Sequence, residues 1–84
     1  MTITVYSTPT CPYCHMLKDF LRQKKVEFKD VDVSRDHEAA HRMISMSGQM
    51  GVPQTEINGK IIVGFDQEAI EEELKEMDSK KASA

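Results

Sequence analysis

The sequence has no tryptophan, only two tyrosines, three phenylalanines and two cysteines among its 84 residues. So few aromatic rings leave only a small core. Two cysteines cannot build the several-bridge framework by which small secreted domains replace a core. No apolar run approaches the ~20 residues of a membrane-spanning helix, so no segment reads as crossing a bilayer. The formal charge is −3, and no basic cluster is interleaved with aromatics. Binding along a nucleic-acid phosphate backbone therefore finds no electrostatic footprint. Residues 1 to 8, MTITVYST, carry neither a basic leader nor an export-type apolar stretch, and read as the first structural element of a cytoplasmic protein.

What is present is a balanced globular composition, 39% hydrophobic and 30% charged. The length allows one domain, expected over residues 1–78, with 79–84 as a polar, frayed tail. The β-rich run around Ile3, Val5 and Tyr6 predicts a strand over 2–6, closed by the turn formers Ser7 to Thr10. Pro12 at a first helical position, with Leu17, Phe20, Leu21 and Lys24 at helical spacing, predicts a helix over 12–24. Alternation from Val26 to Val33 predicts a second strand. Ser34 or Asp36 can cap a second helix that buries Ala39, Ala40, Met43 and Ile44 and exits at Gly48. Residues 54–57, the turn Asn58-Gly59 and Ile61 to Val63 predict a hairpin. Asp66 can cap a last helix carrying Ala69, Ile70, Leu74 and Met77, with Glu71 spaced to pair Lys75. The order β-α-β-α-β-β-α predicts an α/β fold with a mixed four-stranded sheet flanked by three helices.

Cys11 and Cys14 stand three positions apart. A bond between them would close too small a loop to stabilise the chain much, so the pair suits switching better than stapling. Disulfide exchange needs an attacking thiolate, a nearby resolving thiol and a local field that favours the anion. Cys11 falls where the predicted helix begins, so unpaired N–H groups and the positive end of the helix dipole favour its thiolate. Cys14, one turn on, is expected to be less exposed and to resolve. Pro12 stiffens the turn between them and Tyr13 fills it. Zinc is the poorer reading: His15, His37 and His41 lie near in sequence or share a face, but there is no second cysteine pair. His15 is expected to face solvent.

The run Cys11-Pro12-Tyr13-Cys14-His15 resembles the active site of dithiol glutaredoxins. Val52-Pro53, then Ile57 to Lys60, then Gly64-Phe65-Asp66 match that family in order and spacing. The resemblance implies a thioredoxin-like fold and a thiol-disulfide oxidoreductase acting on protein or glutathione-mixed disulfides. It implies a cis Pro53 beside the cysteines, and a backbone at Val52 free to pair with a peptide or glutathione. Thr10, Val52, Pro53, Gly64, Phe65 and Asp66 become the expected substrate or glutathione contacts, Asp66 gripping the γ-glutamyl ammonium or simply capping the last helix. No bound cofactor is expected; glutathione is the expected reductant, disulfide-containing proteins the partners, and the acting species a monomer.

Some residues depart from the glutaredoxin pattern. Thr8 and Ala40 stand where the family places groups that hold glutathione's glycine carboxylate, leaving Lys18 or Arg42 to compensate. Each charge-assisted hydrogen bond lost there would cost roughly 1.5 to 3 kcal/mol. Val63-Gly64 stands where the family has paired glycines, Phe65 replaces a small residue, and 32–40 also differs. In these features the chain is similar to the redoxins that serve ribonucleotide reductase and take electrons from thioredoxin reductase. An iron–sulfur carrier using Cys11 in a dimer, as in some relatives, ranks last because Pro12 accompanies dithiol work in the family. Glu56 stands where the family has an apolar residue. Partial exposure on a sheet face is the expected setting; a buried Glu56 would instead have a raised pKa and could take a proton from the resolving thiol.

Overall fold

A computed structural model describes residues 3–82, with side chains through Glu76. Strand β1 (Thr4–Ser7) leads into helix α1 (Pro12–Gln23), then β2 (Lys29–Asp32), α2 (His37–Ser47), β3 (Gln54–Ile57), β4 (Lys60–Val63) and α3 (Gln67–Ala82). The sheet order is β2-β1-β3-β4, parallel between β1 and β2 and antiparallel elsewhere. This is the expected element order, and it is a thioredoxin-like fold. Helix α3 runs four residues into the segment read as a tail, and the Met77 side chain lies outside those described.

Local chemistry accounts for most boundaries. Pro12 opens α1, and Cys11 is its N-cap residue. Asp36 caps α2, its carboxylate accepting the Ala39 N–H at 3.0 Å, and Gly48 ends that helix at φ +72°. Asn58 and Gly59, at φ +55° and +76°, make the left-handed pair that a two-residue hairpin turn requires. Asp66 caps α3, accepting the Ala69 N–H at 3.2 Å.

Two expectations are corrected. The second strand begins only at Lys29, because α1 closes through a Schellman turn. In that turn the Lys25 N–H reaches Arg22 O at 3.0 Å and the Val26 N–H reaches Leu21 O at 3.1 Å. Lys25 itself takes φ +58°, and Val26 and Phe28 pack on the core before the strand starts. Glu71 pairs not with Lys75 but across to Lys24 at 2.8 Å, tying α3 to α1.

Ile3, Val5, Leu17, Leu21, Ile57, Ile62 and Ile70 form the core between the sheet and the α1 and α3 layer. Strand alternation sends Tyr6, Gln54 and Glu56 to the opposite face, beneath α2, where Met43 is the buried apolar contribution of that helix. One sheet face is therefore hydrophobic and the other largely polar.

Candidate active site

The sharp turn out of β1 delivers Cys11 to the start of α1. Its Sγ accepts the Cys14 backbone N–H at 3.2 Å and lies 3.9 Å from the carbonyl oxygen of Val52. A sulfur at a helix N-cap that receives one of the helix's free N–H groups is placed to carry negative charge. Cys14 is fully buried at the next turn. Burial pushes its thiol up to about 11, and the hydrogen bond and charge of Cys11 push the same way. The Thr8 backbone and the Lys18 ammonium act in the opposite sense. The two sulfurs thus differ in kind, one partly exposed at a helix end and the other a protonated thiol beneath it.

The Val52-Pro53 peptide is cis, as the resemblance implied. Pro53 is buried, and its carbonyl accepts the Gly64 N–H at 2.8 Å, which brings the β4 exit beside the cysteine pair. Val52, Pro53 and Gly64 therefore converge with Cys11. Thr10 and Pro12 are exposed at the helix start, and Tyr13 is 62% exposed. Phe65 turns its ring edge-on to Phe20 of α1, with centroids 5.7 Å apart, so its side chain supports the core margin. Asp66 commits one carboxylate oxygen to the α3 cap. His15 is exposed as expected, but its Nε2 is 2.9 Å from the Pro9 carbonyl and so braces the loop ahead of Cys11.

The two cations expected to compensate at the glycine carboxylate are both engaged. Lys18, with its side chain only 10% exposed, holds Asp30 at 3.0 Å. The Ser7 hydroxyl donates to the other Asp30 oxygen at 2.8 Å. Burial opposes the charge on Asp30, but Ser7 and Lys18 more than offset it and hold its pKa below the usual range. Arg42 holds Glu56 at 2.9 Å, and Tyr6 donates to Glu56 at 2.8 Å.

Glu56 is partly exposed on a sheet face, as expected, and the buried reading falls away. Its pKa is lowered, chiefly by the Arg42 hydrogen bond, which outweighs burial. It faces α2, with the sheet between it and the layer that holds Cys14, so it is not placed to accept a proton from Cys14. Among the described residues no three His, Cys, Asp or Glu side chains gather as a metal site, and no helix is long and apolar enough to cross a membrane.

The reading from sequence missed the Ser7, Asp30 and Lys18 network and the role of Gln54. Lys18 one turn after Cys14 was a visible signal, since both fall on one helix face. The partnership of Ser7 with Asp30 needs the β1 to β2 register and had no sequence signal.

The comparisons with known proteins agree with the fold. A family model described as glutaredoxin matches residues 3–62. A glutaredoxin-like 8.6 kDa protein in the rubredoxin operon of Clostridium pasteurianum is 46% identical over 69 residues, covering 82% of this chain and 92% of that one. Glutaredoxin 3 of Escherichia coli K12 is 36% identical over 64 residues, covering 76% of this chain and 77% of its own. Among solved structures, the glutaredoxin-like NrdH-redoxin from Escherichia coli superposes with a TM-score of 0.78 at 26% identity, over 86% of this chain and 93% of that one. That redoxin is described as having a thioredoxin-like activity profile.

Proposed function

The chain belongs to the glutaredoxin family, and from that premise we propose that it reduces protein disulfides and glutathione-mixed disulfides in the cytoplasm, as a monomer, through Cys11 and Cys14. The observation that carries this reading is the Cys11 sulfur at the α1 N-cap, taking the Cys14 N–H at 3.2 Å above a buried second thiol.

The Cys11 thiolate attacks one sulfur of the substrate disulfide. That S–S bond breaks, the departing thiolate takes a proton from solvent, and Cys11 is left in a mixed disulfide. Cys11 then carries no negative charge, so two of the influences that hold the Cys14 proton vanish and only burial still opposes ionisation. Cys14 gives up its proton at the step that needs its thiolate. It attacks Cys11 Sγ, forms the intramolecular disulfide and releases the reduced substrate thiol. Two electrons and two protons from a reductant restore the dithiol, and Cys11 returns one proton to solvent to regain its thiolate. Thiolate supply and positioning suffice for these steps, so no resident cofactor is required.

Glutathione is the reductant that family membership supports. The backbone at Val52 is beside Cys11, and Asp66 can cap α3 with one carboxylate oxygen and receive an ammonium with the other. A specific observation favours a second route, direct reduction by a flavin enzyme of the thioredoxin reductase class. Lys18 and Arg42 are already paired with Asp30 and Glu56, and Thr8 and Ala40 bring no charge, so the glycine carboxylate of glutathione gains little there. The likeness to a redoxin with a thioredoxin-like profile supports the same route.

A mixed disulfide of β-mercaptoethanol, assayed with glutathione plus glutathione reductase and separately with thioredoxin reductase and NADPH, tests both routes. Turnover is expected with thioredoxin reductase alone, together with a high KM for glutathione. Turnover only with glutathione removes the second route. Cys11→Ser abolishes turnover in either assay, and activity retained in that variant overturns the exchange mechanism.

A further inference from the structure

We propose that Gln54 is a positioning residue for protein substrates, its buried carboxamide fixing the loop ahead of Val52 and with it the backbone edge on which a substrate polypeptide lies. This inference rests on the exchange reading above and names what makes the same site prefer a polypeptide disulfide.

Gln54 begins β3 and is fully buried beneath α2, with Tyr6 directly opposite in the sheet register. A buried carboxamide is costly unless its polar atoms are paired, and an apolar side chain of similar volume would fill the same space without that cost. Both amide hydrogens of Gln54 go to one target. Nε2 donates to the carbonyl of Gly51 at 2.8 Å and to that of Gln49 at 3.1 Å. Its Oε1 is buried with no hydrogen-bond partner among the described residues, so the residue leaves an acceptor unpaired while holding these two carbonyls. Stability of the α2 face alone does not call for such a residue.

The loop it grips has little else to define it. Residues 48–51 are exposed and contain two glycines, one of them in the left-handed region. Ser47 anchors the near end, its Oγ accepting the Gln49 N–H at 3.0 Å. Gln54 anchors the far end from a strand central to the sheet. The next residue after the gripped segment is Val52, whose carbonyl lies 3.9 Å from Cys11 Sγ. An extended polypeptide that pairs with the Val52 backbone reads the position of this loop through hydrogen bonds that weaken steeply with misalignment. A small disulfide that makes no such backbone pairing does not. Releasing the carbonyls of Gln49 and Gly51 therefore costs discrimination between the two classes of substrate.

The test compares kcat/KM for a disulfide-linked peptide pair with kcat/KM for a small aromatic disulfide such as DTNB, in the full chain. In Gln54→Met, which keeps side-chain length but has no donor, the ratio of the two constants falls on the order of tenfold, carried by KM for the peptide. An unchanged ratio overturns the inference, whether both rates fall together or neither moves. Should Gln54→Met fail to fold, Ser47→Ala frees the same loop from its other end. It lowers the ratio in the same direction if loop position sets polypeptide preference, and leaves it unchanged if that idea is wrong. Wild-type protein that reduces neither disulfide overturns the exchange reading and this inference with it; a wild type active on both, with insensitive variants, overturns the inference alone.

Discussion

Cys14 sets the alkaline limit of the folded chain. Its proton is held to about pH 11 in the native state, first by burial and then by Cys11, whereas the unfolded chain releases it at a thiol's ordinary value. Between those two values the native state binds the extra proton, so raising pH favours unfolding. The stabilisation is whole below the ordinary thiol pKa and is lost as pH rises through about 11, by about 3 kcal/mol in all. Urea unfolding of the reduced protein, measured from pH 8 upward, shows this as a falling midpoint. Cys14→Ser, or oxidation to the Cys11-Cys14 disulfide, reduces the slope because no thiol is left at that position to titrate; the remainder belongs to Tyr6, whose phenol pKa is raised by burial and by Glu56. A slope unchanged in both shows that the burial of Cys14 is not its source.

Turns carry the next level of definition, and two of them make opposite predictions. Lys25 closes α1 with φ +58°, a conformation in which a Cβ crowds the following carbonyl. Lys25→Gly should therefore raise the free energy of unfolding by roughly 0.5 to 1 kcal/mol, the relieved strain exceeding the entropy that glycine adds to the unfolded chain. Gly59, at φ +76° in the β3 to β4 turn, is the mirror case: Gly59→Ala is open sterically to its neighbours but strained in its backbone, and should lose about 1 kcal/mol. Thermal unfolding followed by circular dichroism checks both signs. Equal shifts in the same direction would show that neither turn stores the strain assigned to it.

For the whole molecule, the asymmetry of the sheet decides where stability resides. A chain of 84 residues has roughly 4 to 13 kcal/mol to lose. The apolar core lies almost wholly on the α1 and α3 side, while the α2 side is held by Met43 and by polar contacts such as Arg42 to Glu56. Leu21, fully buried between α1 and the sheet, should cost about 3 kcal/mol when replaced by alanine, a fall in Tm of about 10–20 °C. A loss under about 1 kcal/mol in a denaturant titration would place the dominant core elsewhere.

Sequence alone determined the elements whose causes lie within a few residues. Pro12 after Cys11 marked the helix start, Asn58-Gly59 marked the hairpin, and Asp36 and Gly48 bracketed α2, because capping and turn geometry are local. The spacing of Cys11 and Cys14 together with that helix start singled out the candidate pair, and the fold sets the Cys14 N–H on the Cys11 sulfur. Only the tertiary structure decided what depends on register and on which helix covers which face. It sent Glu56 toward Arg42 and Tyr6, joined Asp30 to Lys18 and Ser7, drew Glu71 to Lys24, and turned Gln54 onto the loop before Val52. Those partners stand 12 to 50 positions apart in the chain, save Gln54 and its loop, and are brought together by strand pairing and layer packing, which residue spacing along one segment does not encode.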